Sequence, residues 1–371
     1  MKITVNFVRV FVGLLFIFSG LIKANDPLGL AYKMDEYFNV WNMSWASSFS
    51  LFLSISMNIF EIVAGVALII GFKPKLVTPL LLILIIFFTY LTGYAVLSGK
   101  IKTCGCFGDC IPLEAYQSFI KDLILLVLIV FLYIKRQLIT PWFNPKLSAL
   151  VVSISFAIVG LGQGYVLKNL PIVDCLPYAA GKDLLAQMKP APGSIPDSTA
   201  TYFVYKKNGQ NVTFDANNFP EDFDEDIYEY VDRETKIIRK GNADIKIQDF
   251  TLYDDAGTNI TEKILSQQFP YILFFAKGFD GQTPEWNAQL KEITQLAFAK
   301  KIPVYLVTNE PTVANEFFNK KENSGISILR LDGTVMKTML RSPVGIVHMN
   351  GPIVIKKYSE NNIGSFIKTI K

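Results

Sequence analysis

Five long apolar stretches dominate the first half of the chain. They run over residues 3–22, 49–71, 76–98, 117–134 and 147–167. Each approaches the roughly 20 residues that an α-helix needs to cross a bilayer of about 30 Å. The pattern predicts five transmembrane helices. The first stretch has a long apolar run with no clean A-x-A cleavage site after it, so it reads as a spanning helix rather than a removed signal peptide.

Beyond residue 168 the texture changes. Residues 189–200 (KPAPGSIPDSTA) read as a linker. Residues 201–214 hold two alternating runs around Asn208-Gly209, a hairpin signal. Residues 219–236 are acidic and aromatic and read as a solvated helix or loop. From residue 245 the order becomes regular. IQDFTLYDD predicts a strand, TEKILSQQ a short helix, YILFFAK a buried strand and PEWNAQLKEITQLAFAKK an amphipathic helix. IPVYLVT predicts another buried strand and PTVANEFFNKK another helix. GIVHMNGPIVIKKYS predicts a hairpin pair, and a last helix closes the chain. Strands alternating with helices, then a hairpin, imply an α/β domain with a mixed sheet. The expected division is a four-helix membrane domain over 1–140, a fifth membrane helix over 141–170, a linker with a small β-hairpin over 171–244, and the α/β domain over 245–371.

Composition narrows the class. The 371 residues are 51% apolar and 18% charged, which excludes intrinsic disorder and argues against an ordinary soluble enzyme of this length. A single histidine, His348, removes multi-histidine metal chemistry, and its place in GIVHMN reads as strand surface. Residues 1–170 carry 13 Lys/Arg against 7 Asp/Glu, and the remainder 23 against 25. The basic excess therefore flanks apolar segments. It reads as membrane topology and not as nucleic-acid binding. Lys2, the FKPK loop at 72–75 and the basic loop at 135–146 fall on one side of a five-helix path. That side is expected to be cytoplasmic, leaving loop 99–116 and the C-terminal domain outside.

The densest chemistry lies in Thr103-Cys104-Gly105-Cys106-Phe107-Gly108-Asp109-Cys110, with Cys175 just beyond the fifth apolar stretch. All four cysteines share the outer face in this topology, where disulfides are permitted. Three readings stand: a cycling thiol–disulfide pair, a fixed disulfide pinning the loop, or a thiolate metal site. The spacing C-x-C-x3-C departs from the usual zinc patterns, and no metal or cofactor is assigned. Connectivity is open: Cys104–Cys106 closes a small strained ring, and Cys106–Cys110 or Cys110–Cys175 are equal alternatives. Arg9, Glu61 and Asp122 lie inside apolar spans, where a charge is expensive and usually paired. They form either a proton or cofactor site or ion pairs that orient helices, with Arg9–Glu61 as the expected pair.

These residues carry a resemblance. Ser19, Gly20, Lys23, Asp26 and Pro27 (S-G-x-x-K-x-x-D-P), Glu61 in the second span and the Cys-Gly-Cys-Phe-Gly run resemble the DoxX/MauE group of bacterial membrane proteins over residues 1–140. That group is redox-associated, and its methylamine-utilisation member is linked to maturation of a disulfide-rich periplasmic subunit. The resemblance implies Cys104 and Cys106 as redox residues, an inner-membrane location and a periplasmic client or redox partner. Residues 245–371 resemble the thioredoxin-like outer domain of longer DoxX-like proteins, with Arg341-Ser342-Pro343 at the place of a cis-proline. The expected fold class is thus an α-helical membrane bundle followed by a thioredoxin-like α/β domain. After FFAK, however, the sequence reads GFDGQTPEW, without the Cys-x-x-Cys of that fold. Such a domain cannot exchange disulfides itself, and docking of a partner is its expected role. A non-enzymatic scaffold and a quinone-type site in the bundle are the alternatives.

Overall fold

The structure is a computed structural model that describes residues 1–101, 105–195, 198–207, 210–215, 219, 223, 227–239, 241–243 and 245–371. Two compact units emerge. One comprises Met1–Gly181 with Thr251–Lys371, the other Lys182–Phe250.

The first unit begins with the helices α1 (Lys2–Asn25), α2 (Pro27–Val40), α3 (Ser50–Ile70), α4 (Pro74–Ser98), α5 (Ala115–Ile134) and α6 (Pro145–Asn169). All but α2 are long and apolar enough to cross a membrane, α3 together with the 3-10 turn before it. This is a multi-pass membrane protein. The sequence pattern does not foresee α2, which occupies what reads as a loop. Asp26 caps it by accepting from the Gly29 N–H, and Pro27 supplies a ready-made first turn.

Small residues bring α1 and α3 together. A Cβ on Gly13 would lie 2.9 Å from the Gly65 carbonyl, and one on Gly65 would lie 2.7 Å from the Gly13 carbonyl. Such close backbone approach is how helices associate where lipid offers no hydrophobic drive. Polar contacts add to it. Ser54 donates to the Pro27 carbonyl (2.7 Å), and Asn58 donates to Gln163 of α6 (3.0 Å).

The second unit carries a four-residue helix, α7 (Leu184–Gln187), and an antiparallel sheet of β1 (Ser198–Lys207), β2 (Gln210–Asp215) and β3 (Glu229–Arg239) in the order β2-β1-β3. The hairpin expected from the sequence is β1–β2, paired from Tyr202↔Asp215 to Lys207↔Gln210; its Asn208-Gly209 turn lies outside the described residues. β3 corrects the expected solvated helix or loop. An aromatic cluster of Tyr205, Phe214, Phe219, Phe223 and Tyr228 gives this small sheet a core, with Phe219–Phe223 at 4.9 Å and Tyr205–Phe223 at 5.0 Å.

The first unit resumes with α8 (Thr261–Leu265), β4 (Pro270–Ala276), α9 (Asn287–Ala299), β5 (Val304–Thr308), α10 (Pro311–Ala314), β6 (Ser327–Arg330), α11 (Gly333–Leu340), β7 (Val344–Asn350), β8 (Ile353–Ser359) and α12 (Ile363–Ile370). The sheet order is β6-β5-β4-β7-β8. β4 runs parallel to β5 and β5 to β6, whereas β7 is antiparallel to both β4 and β8. Six of the seven residues of β4 are buried, the signature of a central strand covered on both faces. Ile272 and Phe274 of β4 join Leu290 and Ile293 of α9 and Phe366 of α12 in one core cluster. Two expectations fail here. The segment around Phe250–Asp254 forms isolated bridges from Tyr253 rather than a strand, and the Ser342-Pro343 bond is not cis: no cis peptide occurs among the described residues.

The α/β region packs on one end of the helical bundle. Ser359 and Asn361 donate to the Lys168 carbonyl (2.8 and 3.0 Å) and Asn362 to the Asn169 side chain (3.0 Å). The first two satisfy the Lys168 carbonyl, one that the last turn of α6 leaves unpaired. Lys357 pairs with Asp174 and donates to the Met339 carbonyl. Burial pushes the Lys357 ammonium down in pKa, and Asp174 opposes that shift.

Candidate functional site

The loop between α4 and α5 folds back into the end of the bundle because two glycines adopt left-handed conformations. Gly105 (φ +68°) packs against Lys33, and Gly108 (φ +53°) against Ile22. The Gly108 N–H donates to the Gly105 carbonyl (3.0 Å), closing a tight turn around Cys106. Other residue types pay about 1–2 kcal/mol for that backbone. Cys110 is joined to Cys175 by a disulfide, with a Cα–Cα distance of 4.8 Å. This selects one of the connectivities left open by the sequence. It also removes two of the four thiolates that a tetrahedral zinc site would need. Cys106 carries a free, half-buried thiol. Cys104 lies outside the described residues.

Cys106 lines a cavity of about 160 Å³ within the bundle. The cavity wall is mostly apolar and aromatic, with Phe16, Trp41, Phe88 and Phe107 among its residues. Two ion pairs interrupt it. Lys23, near the end of α1, pairs with Glu61 of α3, and their side chains are 3% and 1% exposed. Lys121 pairs with its neighbour Asp122 on α5 at 2.8 Å. The Ser19 hydroxyl bridges the site, 3.2 Å from Glu61 Oε2 and 3.0 Å from the Cys106 carbonyl. The Thr92 hydroxyl lies 3.1 Å from Asp122 Oδ2. Aromatic faces complete the solvation of the two cations: Phe88 sits 5.1 Å from Lys23 Nζ and Phe107 5.1 Å from Lys121 Nζ.

The structure thus brings together Cys106, Glu61 and Asp122 of the residues singled out from the sequence. It does not bring Arg9. The expected Arg9–Glu61 pair is replaced by Lys23–Glu61. Arg9 lies toward the opposite end of α1, donating to the Thr140 carbonyl (2.8 Å) under the Trp142 ring (5.1 Å). Gly71 makes room for it, since a Cβ there would sit 2.8 Å from the guanidinium. Arg9 therefore ties α1 to the loop before α6 and does not line the cavity. Lys23 and Lys121 are the residues missed. The first stands in the S-G-x-x-K run and the second beside Asp122 within an apolar span, and a lysine in such a place is the signal that could have found them.

Burial pushes the Cys106 thiol above its ordinary pKa, and Asp122 adds to that; Lys121 foremost, then Lys23 and a hydrogen bond with Ser118, pull it down. The thiol is therefore protonated at neutral pH. The rate of Cys106 alkylation by a neutral maleimide is expected to climb with pH beyond the ordinary thiol range of about 8.5. A pH–rate profile that levels off below that range contradicts this electrostatic description.

A second small cavity adjoins the first. Lys23, Leu30, Lys33 and Gly105 line both, and the second is bounded by Asp26, Asp109 and the Cys110–Cys175 bond. Above it sits Arg341, at the end of α11. Its Nε lies 2.9 Å from Asp26 Oδ2 and its Nη2 2.7 Å from Asp109 Oδ2. Its guanidinium also lies 5.3 Å from the Tyr32 ring.

Fold and site define a class: a multi-pass membrane protein with a cysteine-bearing loop tucked over an intramembrane cavity and capped by an α/β domain. Comparison with known proteins agrees for the membrane part. Residues 1–135 match the family model of the methylamine utilisation protein MauE, so a MauE-family membrane domain occupies the N-terminal 135 residues. Residues 195–240, the three-stranded sheet, match a domain of unknown function (DUF8463). Protein TlpB of Flavobacterium psychrophilum is 28% identical over 129 residues, 34% of this chain and 35% of TlpB. The chain thus spans about a third of the length of that curated relative. No solved structure matches the chain.

Proposed function

We propose that the protein carries out thiol–disulfide exchange outside the cytoplasm, in the maturation of a client protein. The observation that carries this reading is a free Cys106 thiol four residues from a disulfide-bonded Cys110, in a loop held against two ion pairs. A client dithiol reduces Cys110–Cys175: one client thiolate attacks a sulfur of that bond, the second resolves the mixed disulfide, and both cysteines leave as thiols. The Cys106 thiol then gives its proton to Asp122 on the same cavity wall, Lys121 stabilises the thiolate that enters the relay, and re-forming the disulfide passes two electrons to a two-electron acceptor in the membrane.

The α/β domain is proposed as a thioredoxin-like docking module. Support comes from its strand order and directions, from α9 joining the parallel pair β4 and β5, and from α12 following the β7–β8 hairpin. The segment after β4 buries Phe279 and Trp286 where an exchanging domain would present a thiol. The proposed setting is the bacterial inner membrane, with the N-terminus cytoplasmic and the α/β domain outside.

A fixed clasp is the second reading. It is favoured by the ion pairs Lys357–Asp174 and Arg341–Asp109, which pin the same two segments that the disulfide joins. Differential alkylation in intact membranes separates the two. On the exchange reading, Cys110 and Cys175 are partly reduced by a mild dithiol, and Cys106→Ser stops their reoxidation without loss of protein from the membrane. Reoxidation at the wild-type rate in that variant, or a disulfide that mild dithiol never opens, leaves only the clasp.

A further inference from the structure

A row of cations runs along α11 toward the cysteine loop. Gly333, Lys337 and Arg341 are four residues apart and so share one face of that helix. Glycine leaves the first position open, and Lys277, the residue after β4, covers it. The Lys277 Cε lies 3.5 Å from the place of a Gly333 Cβ. Its N–H donates to the Pro343 carbonyl (2.9 Å), which fixes the backbone there. Lys337 Nζ lies 5.4 Å and the Arg341 guanidinium 5.3 Å from the Tyr32 ring of α2. The row ends where Arg341 meets Asp109, the residue before Cys110.

Arg341 is neutralised by Asp26 and Asp109, but Lys277 and Lys337 pair with no carboxylate among the described residues. Asp332, at the same end of α11, is occupied in capping the helix through the N–H groups of Thr334 and Val335. Both lysines are half-buried. Burial and then the Lys337 charge push the Lys277 ammonium down in pKa. Two like charges held together and partly out of water destabilise the chain that carries them. No contact within the chain offsets this, whereas an anionic partner would. The spacing fits an extended acidic segment: one helical turn advances about 6 Å, and alternate side chains of an extended peptide repeat at about 6.6 Å.

We infer that Lys277 and Lys337 dock an acidic stretch of the proposed client, extended along this face of α11 with its cysteines beside Cys110. The inference rests on the exchange reading and names the class of client: one whose cysteines are flanked by alternating carboxylates. A lipid headgroup would also satisfy two lysines, but it gives no reason for a row directed at the disulfide.

The test uses the full-length protein in neutral detergent and labelled peptides read by fluorescence anisotropy. Each peptide has a Ser-Gly-Gly-Ser centre, flanked by alternating glutamates in one and glutamines in the other. At low salt the glutamate peptide is expected to bind about fivefold tighter, the effect of two partly screened ion pairs. High salt should erase the difference. Lys277→Glu with Lys337→Glu should turn the preference toward a lysine-flanked peptide, and Lys277→Arg with Lys337→Arg should keep it acidic. Lys300→Glu with Lys301→Glu makes the same change in net charge at the opposite end of the sheet, where α9 leads into β5, and should leave the wild-type preference intact. Equal affinity of the wild type for both peptides, or a preference that charge reversal at 277 and 337 does not move, overturns the inference. A preference abolished by phosphatidylglycerol assigns the row to lipid and overturns it too. The same peptides with cysteines in place of the serines report separately on exchange. Selective binding without opening of Cys110–Cys175 refutes exchange and leaves the acidic site standing. Opening at equal rates by both peptides supports exchange and refutes the site.

Discussion

Glu61→Gln lowers the stability of the helical bundle by about 3–5 kcal/mol, the range for stripping one partner from a buried ion pair. The residue left behind is Lys23, 3% exposed and held between α1 and α3. Its charge then has no carboxylate opposite it, and the Phe88 face, at about 2 kcal/mol for a desolvated cation, does not replace one. The loss should show as reduced accumulation in the membrane and a lower unfolding midpoint in detergent. Lys23→Met combined with Glu61→Gln restores most of the stability, because no unpaired charge remains. The same double variant separates structure from chemistry. If the pair serves the chemistry at Cys106, the double variant folds but exchanges slowly; if it only orients helices, exchange recovers along with folding. Wild-type stability in the single variant contradicts the description of the pair.

That pair also shows where sequence reading reaches its limit. Hydropathy located the five spanning helices because each must satisfy its own backbone in lipid, a constraint written locally in about 20 residues. α2 escaped it. Its apolar positions alternate with Lys33, Asp35 and Glu36, and its stability comes from packing on α3. β3 escaped for a similar reason, since DRETKIIR is mostly charged and becomes a strand by pairing with β1. β4 was legible because a doubly covered strand is apolar along its length. The site was half legible. Cys106, Glu61 and Asp122 stood out as chemical groups in unusual places. The partner of Glu61 did not, because Lys23 meets it across 38 positions, and neither did the Arg341–Asp109 contact, which spans 232. The choice of Cys110–Cys175 likewise depends on the path of α5 and α6 across 65 positions.

Arg341 carries the second large effect. It ends α11 at φ +52°, in the left-handed region that glycine favours, and that backbone costs a non-glycine residue about 1–2 kcal/mol. The cost is offset by what the side chain reaches: Asp26 at the α1–α2 junction, 19% exposed, and Asp109 in the cysteine loop, 46% exposed. The Asp109 contact is the weaker because water screens it; the Asp26 contact is a charge-assisted hydrogen bond of about 1.5–3 kcal/mol. Arg341→Gly relieves the backbone and removes both contacts, whereas Arg341→Ala removes the contacts and keeps the strain. Both variants should free the cysteine loop, seen as faster alkylation of Cys106 and faster proteolytic release of the α/β domain, with alanine the more severe. Alkylation at the wild-type rate in both denies Arg341 any hold on the loop. The exchange rate then decides what the hold is for. A domain that only shields the loop gives faster client oxidation when Arg341 is lost. A domain that presents the loop to the proposed client gives slower oxidation despite the more reactive thiol, and that is the expected result, because Arg341 touches the loop one residue from Cys110, half of the disulfide that the proposed exchange opens.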